Sequence, residues 1–212
     1  MFIILTACGE NGVKKQIYTH LEQTVSLEKG FEEQQSEITK LEEEEKEIYN
    51  EIIELDMDDF EKIVELSDKA IDTIDKRSEL INLEKESIDS SEQEFKNIEE
   101  LIEDLEEEDV KNTAKEMFDV MLTRYEAYEN IYKSYTKALE LEKELYQMLK
   151  KEDIKQEELV SHITKINESY KTVLESNQEF NEQTIAYNDL KKEFYQIANI
   201  DIEYDENIET EN

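Results

Sequence analysis

Few residues in this chain are of the types that carry out catalysis or bind metals. Cys8 is its one cysteine, and its two histidines are His20 and His162. Neither histidine has a glutamate three residues before it, since Ile17 and Leu159 stand there. The Glu-x-x-His pattern of di-iron bundles is therefore missing, and one cysteine cannot supply the paired thiolates of a zinc site. The sequence predicts no catalytic, cofactor-binding or metal-binding residue, and we expect the protein not to be an enzyme.

Two acidic runs, 42–45 and 106–109, have the charge to attract cations. A calcium site needs about 6–8 oxygen ligands that converge from a turned loop, with glycine at the sharp bend. Neither run contains a glycine. We therefore expect both runs to be solvated surface.

Four tyrosines follow the spacing of one helix face, at Tyr125, Tyr128, Tyr132 and Tyr135. Their rings could stack on the sugars of a glycan. They could equally fill the core of a helical bundle with their hydroxyls at its edge, because a core requires the same spacing. We expect the core role.

The overall charge excludes some partners. The chain has 24 Lys and Arg residues against 58 Asp and Glu residues, a net charge of -34. Binding to nucleic acid needs clustered basic residues, so we expect no nucleic-acid partner. The same charge opposes adsorption to an anionic bilayer and favours cationic partners.

Apolar residues recur at intervals of three and four along four segments, as in packed helices. Polar breaks at 56–59, 106–109 and 150–153 separate the segments, and the chain contains no proline and 3 glycines. Gly30, inside the first segment, marks a kink or a close contact or is a tolerated glycine, and we expect the last of these. One seven-residue series in this segment comprises Ile17, Thr24, Phe31, Ile38, Glu45 and Ile52.

Each segment is long enough to form a rod of roughly 60–65 Å at about 1.5 Å per residue. Short breaks between long helices make neighbouring helices antiparallel. The sequence therefore predicts an all-α fold, an up-and-down four-helix bundle over residues 15–198. The alternative is a three-helix, spectrin-like bundle with a bent helix. The acidic, unpatterned residues 199–212 are expected to be a disordered tail.

The N-terminus resembles the end of a bacterial lipoprotein signal peptide. Apolar residues precede the sequence Leu5-Thr6-Ala7-Cys8-Gly9, which is similar to a lipobox. In signals of this type the cysteine thiol receives a diacylglycerol and cleavage occurs just before it. We expect residues 1–7 to be a truncated signal peptide, Cys8 to be the lipidation site, and residues 8–14 to be a flexible tether. No later run of 18 apolar residues could span a bilayer as a helix.

The chain as a whole resembles the cell-wall-binding lipoproteins of Gram-positive bacteria, the YkyA-like group. The similarity runs from Cys8 to about residue 200 and rests on short segments in a shared order: 17–22, 31–35, 75–77, 124–128, 141–146 and 192–195. The resemblance implies a four-helix bundle, lipidation at Cys8, and a position on the outer face of the cytoplasmic membrane, facing the cell wall. It supplies no catalytic residue.

These observations leave two main functional hypotheses. The first is a lipid-anchored extracytoplasmic bundle that acts as a binding or spacer module. Its partners would be the membrane, through a diacylglycerol on Cys8, and cell-wall peptidoglycan or a wall-associated protein. The alternative is a cytoplasmic coiled-coil scaffold or assembly protein that binds partner helices. An enzyme that acts on the wall ranks last. Because the chain is so acidic, wall binding must work through shape, cations or peptide amines.

Overall fold

A computed structural model of the protein describes residues 7–200, with only the backbone for residues 7–10 and Met57. The described residues form helices and no strands. The helices are α1 Ala7–Leu27, α2 Lys29–Ile53, α3 Phe60–Phe95, α4 Ile98–Glu103, α5 Glu108–Leu149 and α6 Gln156–Ile197, with one turn of 3₁₀ helix at Met57–Asp59. Together α1 and α2 form the first rod, α3 and α4 the second, α5 the third and α6 the fourth. The predicted all-α four-helix bundle is confirmed.

The chain reverses direction at the three predicted breaks. At the first, the Asp56 side chain accepts a hydrogen bond of 2.9 Å from the backbone N–H of Asp58, which satisfies one of the donors that a helix start leaves unpaired. The remaining reversals lie between α4 and α5 and between α5 and α6.

The first rod has an additional break at Glu28, which the apolar pattern does not reveal. Ser87 of α3 fills it: its hydroxyl donates to the carbonyl of Leu27 at 2.6 Å and accepts from the N–H of Phe31 at 3.1 Å. A Cβ atom on Gly30 would lie 3.1 Å from the Ser87 side chain. Gly30 therefore permits a close approach between helices, and the expectation of a merely tolerated glycine is wrong.

The predicted N-terminal tether is helical in the structure. Helix α1 begins at Ala7, so residues 8–14 form its first two turns. Lys14 is buried, and its Nζ lies 2.7 Å from Glu107 Oε1 in the connection that precedes α5. This contact ties the start of the first rod to the body of the bundle. The Cys8 side chain, residues 1–6 and residues 201–212 lie outside the described part of the chain.

Three of the four edges between adjacent rods are packed along their length. The first rod packs on α3, α3 packs on α5, and α5 packs on α6. The fourth edge, between the first rod and α6, is closed over α1 and the first turn of α2. There the Tyr18 and Tyr195 rings are 5.3 Å apart, and Tyr195 and Lys191 both bind Glu22 at 2.7 and 2.9 Å. Helices α2 and α6, both fully described, meet at the start of α2, where the Phe31 and Phe180 rings are 5.8 Å apart; they are not among the closely packed helix pairs.

Candidate functional site

The unpacked edge between α2 and α6 is an elongated groove of about 800 Å³, here called the interhelical groove. Helices α2 and α6 form its walls, and α3 and α5 form its floor. The α2 wall extends from Phe31 to Tyr49, and the α6 wall from Ile163 to Asn181. The floor combines apolar side chains with the charged side chains of Arg77, Glu84 and Glu142.

Arg77 is the central group of the floor and is 1% exposed. Its guanidinium donates from Nε to the Tyr135 hydroxyl at 3.0 Å and from Nη2 to the Tyr170 hydroxyl at 2.7 Å. Nη1 donates to Glu142 at 3.0 Å and also to Glu45. Four rods thus meet at one buried cation.

Each carboxylate around Arg77 also accepts a tyrosine hydroxyl. Tyr146 donates to Glu45 at 2.9 Å, and Tyr170 donates to Glu142 at 2.6 Å. Tyr135 donates to Glu42 at 2.7 Å, and Glu42 lies 3.5 Å from Arg77 Nη2. We call this set the Arg77 cluster; it comprises Glu42, Glu45, Arg77, Tyr135, Glu142, Tyr146 and Tyr170.

The Arg77 cluster contains more negative groups than positive ones. Three carboxyl groups share one guanidinium. Burial raises the pKa of Glu142 to about 7, against the opposing charge of Arg77 and with the help of nearby Glu45. Burial likewise raises the pKa of Glu45, although Arg77 and the Tyr146 hydroxyl lower it. The cluster can therefore accept a further positive charge.

A further buried carboxyl group, outside the Arg77 cluster, lies two turns along α3 from Arg77. Glu84 is 1% exposed and accepts hydrogen bonds from Tyr128 at 2.9 Å and Gln35 at 2.6 Å. Burial raises its pKa to about 7, against the stabilising effect of these two donors on the anion. Among the described residues no cation pairs with it.

The structure does not bring the two histidines together. His20 Nδ1 lies 2.7 Å from Glu94 Oε1, and buried His162 has its Nε2 2.7 Å from the carbonyl of Leu141. In the described part of the chain no group of three His, Cys, Asp or Glu side chains is arranged to hold a metal ion.

The four tyrosines that were predicted to share one helix face lie in the core of the bundle or at its edge. Tyr125, Tyr128 and Tyr135 are buried in the bundle, and the half-buried Tyr132 donates to Asn82 at 2.8 Å. Tyr128 and Tyr135 also lie on the floor of the interhelical groove, but residues that are at most 5% exposed offer little ring face to a sugar. The expectation of a core role is confirmed for these residues.

The acidic run 42–45 is not simply solvated surface. Glu43 and Glu44 are exposed, as expected, but Glu45 is buried against Arg77. The solvated-face prediction is wrong for Glu45, because a helix turns adjacent residues of one run toward different environments. The run 106–109 is exposed throughout.

A sequence signal for the buried charges does exist. Arg77 and Glu84 interrupt the seven-residue series that contains Ile63, Ala70, Ile98 and Leu105. Glu142 occupies the same kind of position, seven residues after Tyr135 and seven before Leu149. A charged residue at a core position of a long helix is therefore a candidate for a buried ionic cluster.

A family model and a known protein both relate this chain to the same family of lipoproteins. The family model described as "YkyA: Putative cell-wall binding lipoprotein" matches residues 12–197. The sequence is 38% identical over 198 residues to the uncharacterized lipoprotein YkyA of Bacillus subtilis (strain 168), which covers 93% of this chain and 89% of that protein.

A solved structure supports the fold. A conserved protein of unknown function from Staphylococcus aureus superposes with a TM-score of 0.68 over 92% of this chain and 97% of that chain. Its sequence identity is 17%, so the likeness concerns the fold alone. Within residues 7–200, no helix is long and apolar enough to cross a membrane.

Proposed function

The chain belongs to the YkyA family of cell-wall binding lipoproteins, and we propose on that premise that it is a lipid-anchored binding protein whose interhelical groove holds a component of the wall. A diacylglycerol on Cys8 attaches it to the outer face of the cytoplasmic membrane. The observation that carries the proposal is the open edge between α2 and α6, because a bundle that served only as a spacer would gain stability by closing it. The protein is a binding module and not an enzyme in this proposal.

The position of the groove along the rod suits a wall-facing site. The α2 wall begins at Phe31 and ends at Tyr49. At about 1.5 Å per residue, these positions lie roughly 35 and 60 Å from Cys8 along the first rod. The anchor and the groove are thus separated by more than the thickness of a headgroup layer, and a ligand held in the groove stands clear of the membrane.

Lipidation is a mode of membrane attachment that does not depend on the charge of the helical bundle. A net charge of -34 opposes contact with anionic lipid. Two acyl chains with about 30 methylenes in total, at about 0.8 kcal/mol each, set an upper limit above 20 kcal/mol for membrane anchoring. The acyl chains therefore hold the protein without help from its surface.

The anchor is tested by replacing Cys8 with alanine in a protein expressed behind a functional lipoprotein leader. The variant should move from the membrane fraction to the soluble fraction, because no acyl chain can be added. Gly12→Ala is the matched control, since a Cβ atom there has no neighbour within 4 Å. Continued recovery of Cys8→Ala with the membrane contradicts the lipid anchor.

Wall binding is tested by retention on purified peptidoglycan, with and without added divalent cation. We expect retention under both conditions, because the groove itself supplies the recognition. If the protein passes through under both conditions, direct wall binding is wrong, whereas lipid anchoring is unaffected.

A further inference from the structure

The chemistry of the interhelical groove narrows the kind of ligand it can hold. Its one buried cation, Arg77, already donates to three carboxylate side chains and to two tyrosine hydroxyls. A guanidinium has five N–H donors, so Arg77 has little capacity left for an incoming anion. Phosphate-rich or sulfated polymers are therefore poor ligands for this groove.

The carboxylates of the groove retain acceptor capacity. Glu42 forms the accessible part of the Arg77 cluster, with about 40% of its side chain exposed. Its bonds from Tyr135 and Arg77 both end on Oε1. An ionised carboxylate offers about four lone-pair sites on its two oxygens, so Glu42 can accept a hydrogen bond from a donor that enters the groove.

The groove has the length of an extended chain and apolar surface between its polar groups. From Phe31 to Tyr49 it runs for about 27 Å along α2, at about 1.5 Å per residue. A fully extended peptide of about eight residues spans that distance. Leu174, which is 69% exposed, and the half-buried Ile163 line the groove and provide the kind of surface against which the methylene stem of an amine side chain packs.

The α6 wall adds amide groups suited to a peptide backbone. Asn167, Asn177 and Asn181 all line the groove. An asparagine side chain both donates and accepts hydrogen bonds, and so does a peptide unit. The groove thus combines excess carboxylate, apolar surface and neutral amides along one line.

We infer that the interhelical groove binds an extended peptide through a primary ammonium group on one of its side chains, with Glu42 and the Arg77 cluster as the acceptors. This inference rests on the proposed function and specifies its ligand as the peptide part of the wall and not the glycan part. The glycan is disfavoured because a neutral sugar brings no positive charge to the carboxylates of the groove.

Binding is tested by calorimetry of the purified bundle with acetyl-Ala-Lys-Ala-amide as the probe. The same peptide with an acetylated lysine side chain should bind about tenfold more weakly or not at all, because a charge-assisted hydrogen bond to a carboxylate is lost. Equal binding of the two peptides overturns the inference. A linear five-carbon diamine should bind about tenfold more weakly than the lysine peptide; equal binding overturns the role of the peptide chain.

Matched variants locate the binding in the groove. Leu174 lines the groove and is 69% exposed, whereas Ile185 is 65% exposed on the same helix outside it. Leu174→Lys should weaken binding of the lysine peptide about tenfold through like-charge repulsion, and Ile185→Lys should leave it unchanged. Both sites are on the surface, and a far-UV circular dichroism melt confirms that each variant is folded.

A second pair of variants separates the groove from the general negative charge of the surface. Glu42→Gln removes a negative charge inside the groove, and Glu44→Gln removes the same charge from an exposed site on α2. Glu42→Gln should weaken binding about tenfold, and Glu44→Gln should not. Equal effects from the two variants would show that the peptide is held by diffuse charge, which overturns the inference.

Peptidoglycan with its free amines chemically acetylated distinguishes this inference from the proposed function. The wild-type protein should be retained by untreated peptidoglycan and lost from the acetylated material. Equal retention on both means that wall binding stands and amine recognition is wrong. If the protein binds the lysine peptide but is not retained on untreated peptidoglycan, amine recognition stands and direct wall binding is wrong.

Discussion

The two halves of the bundle each bury an arginine, but they balance its charge differently. In the closed half, which contains α1 and α4, Arg124 faces one carboxylate: Nη1 and Nη2 donate to the two oxygens of Glu28, both at 2.8 Å. In the open half, which contains α2 and the interhelical groove, Arg77 faces the carboxylates of Glu42, Glu45 and Glu142. One arrangement is a neutral pair, and the other carries an excess of negative groups.

The packing around the two arginines also differs between the closed half and the open half. The closed half has a core of stacked and edge-on rings, in which Phe95 contacts Phe118, Tyr125 and Tyr187 at centroid distances of 5.4–6.1 Å. Arg124 lies at the boundary of this half, 4.3 Å from the Phe180 ring and bonded to Thr184 of α6 at 2.8 Å. It thereby ties the α1–α2 junction to α6, and the two walls of the groove separate beyond the neighbouring contact between the Phe31 and Phe180 rings. The comparison indicates that the Arg124 pair supports the fold, whereas the Arg77 cluster serves both fold and binding.

Removing each arginine is the strongest test of this difference. Arg77→Met should lower the free energy of unfolding by about 4 kcal/mol at pH 8, because three carboxyl groups lose their cation. The loss should shrink at pH 5, where those groups can take up protons. Arg124→Met should cost about 3 kcal/mol because it leaves one carboxylate that can still reach water.

Urea unfolding followed by far-UV circular dichroism measures both variants at the two pH values. Lys40→Met, which removes an exposed pair with Glu37, is the control and should change stability by less than about 1 kcal/mol. If Arg77→Met shows the same loss at pH 5 and pH 8, the carboxyl groups around it are not held together by their shared cation.

The second test is the pH dependence of the wild-type protein. Burial raises the pKa of Glu84 and of Glu142 to about 7, from an ordinary value of 4.5. The folded state therefore holds protons that the unfolded state releases above pH 4.5, so these groups make stability fall as pH rises from about 5 to 8. For Glu84 a shift of this size corresponds to about 3 kcal/mol.

Glu84→Gln should remove that part of the slope, because a neutral amide does not titrate. Urea midpoints at pH 5, 6, 7 and 8 measure the slope, and Glu44→Gln on the exposed face of α2 should leave it unchanged. A wild-type stability that rises from pH 5 to pH 8 would show that these carboxyl groups are ionised without penalty. The proposed electrostatic difference between the two halves of the bundle would then be wrong.

The sequence predicted the number of rods and the reversals between them, since these depend on local apolar spacing and on polar breaks. It did not predict the break at Glu28, because the apolar spacing continues through it and the side chain that bonds to the interrupted backbone, Ser87, belongs to another helix. Arg77, Glu84 and Glu142 were not singled out in the sequence, although each stands in a mostly apolar seven-residue series. Their partners depend on three-dimensional packing, and so does the separation of α2 from α6 beyond Phe31.

The smallest expected effect comes from the contact that closes the fourth edge of the bundle. Tyr195→Phe removes the hydroxyl that donates to Glu22 at 2.7 Å, but it leaves the ring packed against Tyr18. The free energy of unfolding should fall by about 1 kcal/mol, the usual net value of one hydrogen bond. Tyr132→Phe, which removes an exposed bond to Asn82, is the control and should cost less.

Hydrogen exchange shows where the Tyr195→Phe effect is located. Amides of α1 and of the last turns of α6 should exchange faster, because local opening at this edge becomes easier. Amides of α2 beyond its first turn should be unchanged, since that part of α2 is not closely packed against α6. Faster exchange along α2 as well would show that the two halves open as one unit, and the closed and open edges would then not be independent features of the bundle.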